Sequence, residues 1–244
     1  MKKILALLTV VMVVVFVGCG KEKEVKTTEK VYVIGTNAEY PPFEYLENSK
    51  IVGLDPDIME EFSKRMGFQY KWANMNFDGL ISALQTRKVD IIIAGMSISD
   101  ERKKYINFST PYISPAMCYI TLKTSPMTTI EDLENKRFGI ELGTTEEDIV
   151  KKVPGAVIVP FSGHTAALFA LKSGKIDSML LDATVAKKYL ENNPDLKTVV
   201  TVEGENKAMA FNIEDVELKD KFDKVLKEMM EDGTIDKLKA KYGI

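Results

Sequence analysis

The sequence predicts an α/β fold with largely parallel strands divided between two lobes, and three observations carry that prediction. Beyond residue 30, short β-branched runs alternate with amphipathic stretches, the strand-and-helix rhythm that builds such sheets. After Asp90, the run Ile91-Ile-Ile-Ala94 is apolar without alternation, and a strand lacking alternation is buried on both faces, as in the middle of a parallel sheet. A faint internal repeat sets Ala83-Leu84, Lys88, Asp90 and Gly95 against Ala170-Leu171, Lys175, Asp177 and Asp182 at a constant offset. Both segments read as helix, tight turn and apolar strand, which places Gly95 and Asp182 at matching strand ends in two similar lobes.

Taken in order, residues 31–35 read as a strand and residues 37–43 as a proline-stiffened loop. Asp55-Pro56 is an N-cap and N1 pair opening a helix that ends at Gly67, with Leu54, Ile58, Phe62 and Met66 on one face. Residues 77–86 form a second short helix feeding the strand at 90–94. Ligands of such sheets sit beyond the carboxyl ends of the strands, here residues 95–102. Residues 108–123 are extended and long enough to cross between lobes, and the chain returns over 199–212. Lobe 1 is then discontinuous, 31–118 plus 208–244, and lobe 2 is 122–204, with a hinge near 119–121 and 205–207. The tail helix carries Phe222, Val225, Leu226, Met229 and Met230 on one face, is closed by Gly233, and is followed by a short helix with Ile235 and Leu238. It is expected to dock on lobe 1.

The amino terminus has the layout of an export signal: Lys2 and Lys3, an apolar run over 4–17, then Gly18-Cys19. The run is shorter than the ~20 residues of a spanning helix, which favours a cleaved leader, residues 1–18, over a permanent anchor. A Cys after Gly18 resembles a bacterial lipobox, in which Cys19 becomes the acylated first residue. Residues 19–30 are then a charged tether, and the protein sits on the outer face of the cell membrane or in the periplasm. Cys118 is the other cysteine, so no internal disulfide is expected. A formal charge of -3, with basic residues interleaved among acidic ones, argues against nucleic acid as a partner.

Groups for catalysis are scarce. His164 is the single histidine and follows Ser162-Gly163, so it reads as a surface or capping residue in the first turn of a helix. No Cys/His cluster has metal-ligand spacing, and Gly139-Ile-Glu-Leu-Gly143 lacks the lysine and spacing of a phosphate loop. No cofactor or metal is expected. The chain does offer groups suited to a zwitterion. Thr144 and Glu147 read as a capping box whose free N–H groups suit a carboxylate, or simply as a well-capped helix. Ser97 and Arg102 can jointly hold a carboxylate, unless Arg102 pairs with Asp100 or Glu101. Asp182 ends a buried strand and can hold an ammonium group. Tyr40, Phe43 and Phe77 can stack on a ligand or belong to the core.

Six motifs occur in order: Tyr40-Pro-Pro-Phe-Glu44, Val52-Gly-Leu-Asp-Pro-Asp57, Phe77-Asp-Gly-Leu-Ile-Ser-Ala-Leu84, Ala94-Gly-Met-Ser-Ile-Ser-Asp-Glu-Arg102, Leu142-Gly-Thr-Thr145 and Asp232-Gly-Thr234. Over residues 31–244 the chain resembles family 3 of the bacterial extracellular solute-binding proteins, the polar amino-acid receptors of ABC importers. The resemblance implies a type II periplasmic-binding-protein fold, each lobe a central β-sheet flanked by helices, joined by a two-strand hinge, with a free amino acid enclosed between the lobes. It implies no catalysis, a monomer, and permease subunits as partners. Carried over by position, Arg102 grips the α-carboxylate with Ser97 and the Thr145 backbone, while the Gly95 carbonyl and Asp182 hold the α-ammonium. Tyr40 and Phe77 sandwich the side chain, Asn37, Glu39 and Glu141 lie near its far end, and Ala94, Met96 and Thr144 complete the set. Two departures bear on the ligand. Asn37 stands where members specific for glutamine, or for lysine and histidine, carry an aspartate, and Glu141 stands where the glutamine receptor has a lysine. A buried glutamate needs a cationic partner, which points to arginine first and lysine second. Glutamine and histidine stay open, and a dehydratase of the same fold is the enzymatic alternative.

Overall fold

The structure, a computed structural model, describes residues 30–244. The expected leader 1–18, Cys19 and the tether up to residue 29 lie outside the described residues.

Two five-stranded sheets carry the molecule. The first has the order β5 (Gln69–Asn74), β1 (Val31–Thr36), β6 (Ile91–Ile92), β13 (Ala210–Asn212) and β7 (Ile106–Phe108). β1 runs parallel to β5 and β6, as the apolar patterns predict, but β13 is antiparallel to β6 and β7. The antiparallel strand follows from the chain returning from elsewhere to fill the sheet. Pairing at β6 reaches beyond its two ladder residues, because the Asp90 and Ile93 N–H groups bond the Val33 and Gly35 carbonyls.

The second sheet has the order β10 (Val157–Phe161), β9 (Arg137–Glu141), β11 (Ser178–Asp182), β8 (Met117–Leu122) and β12 (Leu196–Val202). β8 pairs antiparallel with both β11 and β12. Residues 119–121, expected in the first crossing, are therefore interior to a strand of this sheet. The passages between sheets are 109–116 and 203–209, which bond to each other: Lys207 donates its N–H to Ile113 (2.8 Å), and Tyr112 donates to Lys207 (3.0 Å). The return passage also bonds the turn after β6, through Ile98 N–H to Asn206 (2.8 Å) and Ala208 N–H to Met96 (3.0 Å).

Helix α1 (Leu54–Met66) buries Leu54, Ile58, Met59 and Phe62 and ends on Gly67 in the left-handed region, as its pattern predicts. Its start differs. Gly53, at φ 134°, is the N-cap, and Asp55 lies inside the first turn, fully buried. There its carboxylate accepts the Gly95 N–H (2.8 Å) and the Tyr112 hydroxyl (3.0 Å), tertiary partners that draw it away from the helix end. Gly53 is required because a Cβ there would overlap the Phe43 carbonyl oxygen, beneath the short hairpin of β2 (Glu39–Tyr40), β3 (Glu44–Glu47) and β4 (Lys50–Val52). Gly53→Ala is expected to destabilise the fold by more than ~2 kcal/mol, since overlap and positive φ act together. An unchanged urea midpoint would contradict this.

Helices α2 (Leu80–Gln85) and α3 (Asp100–Lys103) flank the first sheet, and α4 (Glu146–Val150), α5 (His164–Lys172) and α6 (Ala183–Asn192) flank the second. The tail helices α7 (Val216–Glu231) and α8 (Thr234–Lys241) dock on α1, with Phe222 stacked on Phe62 at 4.8 Å. Among the described residues no helix is long and apolar enough to cross a membrane.

Candidate functional site

A small cavity lies between the strand ends of the two sheets. Asn37, Tyr40, Phe77, Ala94, Gly95, Ser97, Arg102, Glu141, Thr144 and Thr145 line it, as do Glu44, Met117, Glu146, His164 and Lys207. Of the remaining expected site residues, Met96 is buried outside the lining, and Glu39 is exposed on a neighbouring shallow cleft beside Gly163 and Phe169. Asp182 sits behind Tyr40 and Lys207.

Arg102 is held on α3, whose N-cap Ser99 accepts the Arg102 N–H. Its guanidinium donates to the Ser97 carbonyl (2.6 Å) and the Gly143 carbonyl (2.8 Å) and lies 5.3 Å from the Phe77 ring centre, so it touches structure from both sides of the cavity. Asp100 pairs with Lys103 and Glu101 with Lys104, so neither neutralises it. Among the described residues Arg102 has no ion-pair partner, although it is only 6 % exposed. Burial pushes its pKa down to about 10, against the pull of Glu205 and Asp148. A buried guanidinium bonded only to carbonyls is a site for an incoming carboxylate.

The capping box does not form. Thr145 is the α4 N-cap without a side-chain cap bond, its hydroxyl donating to Glu205, while the Thr144 hydroxyl bonds the Glu141 carbonyl (2.8 Å). Glu147 pairs with Lys151 instead. With Gly143 at φ 81°, the turn is set by contacts outside the helix: the Gly143 backbone packs on Asp78 so closely that a Cβ would come within 2.9 Å of its Cα.

His164, expected at the surface or as a cap, is buried at 2 % exposure. Its Nδ1 lies 3.0 Å from Glu141 Oε2, its Nε2 2.8 Å from Glu146 Oε1, and its ring stacks on Tyr40 at 5.0 Å between centres. Burial pushes the imidazole pKa down, but Glu146 and Glu141 outweigh it and raise the pKa to about 10. His164 is therefore an imidazolium between two acids. That corner carries two carboxylates against one cation, and Glu141 Oε1 is buried without a donor. The lone histidine and the Glu146 of the Leu142-Gly-Thr-Thr-Glu146 run were visible in the sequence, but nothing local pairs residues eighteen apart.

Tyr40 is aimed by β2 and lies on Phe43 (5.8 Å). Its hydroxyl donates to Asp182 Oδ2 (2.9 Å) and accepts the Asp182 N–H (3.2 Å). Burial, reinforced by the Asp182 charge, keeps Tyr40 protonated. Gly95, at φ 51°, leaves only 3.2 Å between a Cβ and the Tyr40 ring, so the strand end closes on the aromatic through bare backbone. Asp182 Oδ2 also takes Lys207 Nζ at 2.9 Å, and Lys207 donates to Ser97 Oγ at 2.9 Å. Asp182 Oδ1 is buried without a hydrogen-bond partner among the described residues. Glu44 lies beside Asp55, and burial with that neighbour holds its carboxyl well above the usual range. Lys207, preceding the apolar run 208–211, carried no sequence signal for this role.

Asn37 is tied down, donating to the Met75 carbonyl at 3.0 Å. Among the described residues no group of three or more His, Cys, Asp or Glu side chains is arranged to hold a metal.

The model of the bacterial extracellular solute-binding proteins, family 3, matches residues 32–244. A probable histidine-binding protein of Campylobacter jejuni is 36 % identical over 86 % of this chain and 83 % of its own. The arginine-binding extracellular protein ArtP of Bacillus subtilis is 33 % identical over 99 % of this chain and 98 % of its own. Among solved structures, an ancestral arginine-binding protein bound to arginine superposes with a TM-score of 0.82 at 38 % identity, covering 87 % of this chain and 97 % of that one. An ancestral arginine-binding protein bound to glutamine gives the same figures. These neighbours are type II periplasmic amino-acid-binding proteins, and the chain is a binding protein rather than an enzyme. By the match of nearly its whole described length, the chain belongs to the bacterial extracellular solute-binding proteins, family 3.

Proposed function

We propose that the cavity binds a free L-amino acid with a cationic side chain, arginine before lysine, and that the protein delivers it to the permease subunits of an ABC importer. One observation supports the reading above the others. Among the described residues the same cavity holds a buried guanidinium without an acid, Arg102, and a buried carboxylate oxygen without a donor, Glu141 Oε1. A ligand with a carboxylate at one end and a guanidinium or ammonium at the other satisfies both. Arg102 and the Ser97 hydroxyl take the α-carboxylate, the Gly95 carbonyl and Asp182 Oδ1 take the α-ammonium, and Phe77 and Tyr40 flank the side chain. Arginine is favoured because a planar guanidinium stacks on aromatic faces.

Binding closes two lobes about a hinge in 109–116 and 203–209, because the ligand contacts groups carried by both sheets. The leader 1–18 is removed, and acylated Cys19 holds the monomer at the outer face of the membrane. A glutamine or histidine receptor is the second reading, favoured by the glutamine-bound ancestral structure and the Campylobacter relative. Thermal-shift screening of the purified protein against the standard amino acids and ornithine separates the two. Arginine and lysine are expected to raise the melting temperature, a hundredfold excess over Kd adding about 2.7 kcal/mol. A shift with glutamine and none with arginine or lysine overturns the cationic assignment.

A further inference from the structure

The buried ammonium of Lys207 occupies the position in which an amino-acid site needs a free acid. Asp182, the residue available to an α-ammonium, already has Lys207 Nζ and the Tyr40 hydroxyl on Oδ2. The lysine is built in. Its backbone is bonded on one side to Tyr112 and Ile113, and the residues flanking it are bonded on the other to Met96 and Ile98. Its side chain is 5 % exposed and that of Asp182 is fully buried. A ligand ammonium displacing Lys207 from Asp182 would leave a buried cation with only the Ser97 hydroxyl, and breaking a buried pair in this way is strongly unfavourable.

We propose that Lys207 is a resident counter-ion of Asp182, so that this receptor recognises its ligand by carboxylate and side chain and also accepts carboxylic acids lacking the α-amino group. Two consequences of the geometry point the same way. Asp182 is neutralised before any ligand arrives, so an α-ammonium gains a hydrogen bond to Oδ1 rather than an unopposed ion pair. Lys207 also donates to Ser97 Oγ, which leaves the Ser97 hydrogen free to donate to the ligand carboxylate. With Arg102 unpaired nearby, two cations serve the carboxylate end of the cavity. Lys207 is thereby a specificity-determining residue.

The inference rests on the cavity holding an amino acid, but not on which side chain is bound. Calorimetric titration of the purified protein compares arginine with 5-guanidinopentanoic acid, its analogue without the α-amino group. The wild type is expected to bind the two within about tenfold, and Lys207→Met to bind the analogue about a hundredfold or more worse than arginine, because only arginine then covers the exposed Asp182 charge. A wild-type penalty of about a hundredfold, unchanged in Lys207→Met, overturns the proposal. Because Lys207→Met leaves a buried acid unpaired and risks misfolding, the double variant Lys207→Met with Asp182→Asn, which removes both charges, gives a second readout. In it the ratio of arginine to analogue affinity is expected to stay within about tenfold of the wild-type ratio, whereas a wild-type preference of about a hundredfold for arginine that collapses in the double variant shows that Asp182 anchors the ammonium and sinks the idea. Should the screen above identify glutamine or histidine instead, the same ratio is read with that amino acid and its des-amino acid, so a wrong side chain and a wrong role for Lys207 give different results.

Discussion

Arg102→Ala is expected to weaken binding of the amino acid by about 30-fold or more while leaving the fold intact. The guanidinium donates to the Ser97 and Gly143 carbonyls, lies over the Phe77 ring and has no ion-pair partner among the described residues, so its removal orphans no acid there. Stability should change little, or rise slightly, because burying the unpaired charge is itself costly, as its pKa near 10 indicates. In the complex the loss is different in kind. The ligand carboxylate would be enclosed without its charged partner, a truncation that costs roughly 2–5 kcal/mol, or about 30- to 5,000-fold in Kd. Titration calorimetry with a circular-dichroism control reads both quantities. Arginine affinity within about tenfold of wild type would remove Arg102 from the site.

The second large effect is on stability and belongs to His164. His164→Gln keeps one hydrogen bond and removes the charge that separates Glu141 from Glu146. Leaving two buried acids without their cation is expected to cost roughly 3–5 kcal/mol, a fall of about 10 °C in melting temperature for a chain of this size. The wild type has a matching pH signature. The folded imidazole pKa of about 10 stands above the ordinary 6.5, so the stabilisation is complete below pH 6.5 and is lost as pH rises through 10. Urea midpoints taken from pH 6 to pH 10 should therefore fall for the wild type relative to His164→Gln. Parallel pH profiles for the two proteins would show that His164 carries no such charge.

The residues of α1 show how far local pattern reaches. The apolar spacing of Leu54, Ile58 and Phe62 and the left-handed Gly67 are consequences of one helical turn acting on its neighbours, and they are legible in sequence. Asp55 before Pro56 has the local chemistry of an N-cap, yet it forms hydrogen bonds with Gly95 and Tyr112, forty and fifty-seven residues away. The crossings over 108–123 and 199–212 contain the observed passages, but the hinge expected at 119–121 lies inside β8 for a similar reason. Residues 117–122 are apolar enough for a bridging segment or a buried strand, and only pairing with β11 and β12 decides between them.

The alternation of strands and helices, the order of the six motifs and the family resemblance are legible in the sequence, as are Gly95 and Asp182 beyond strand ends with Ser97 and Arg102 following Gly95, because the patterns that encode these features are local. The tertiary fold decided the electrostatic plan of the cavity: His164 between Glu141 and Glu146, Lys207 on Asp182, and Arg102 on the Ser97 and Gly143 carbonyls without an ion-pair partner among the described residues. Charges pair through space at about 3 Å once water is excluded, and the chain separations that bring them together leave no period in the sequence.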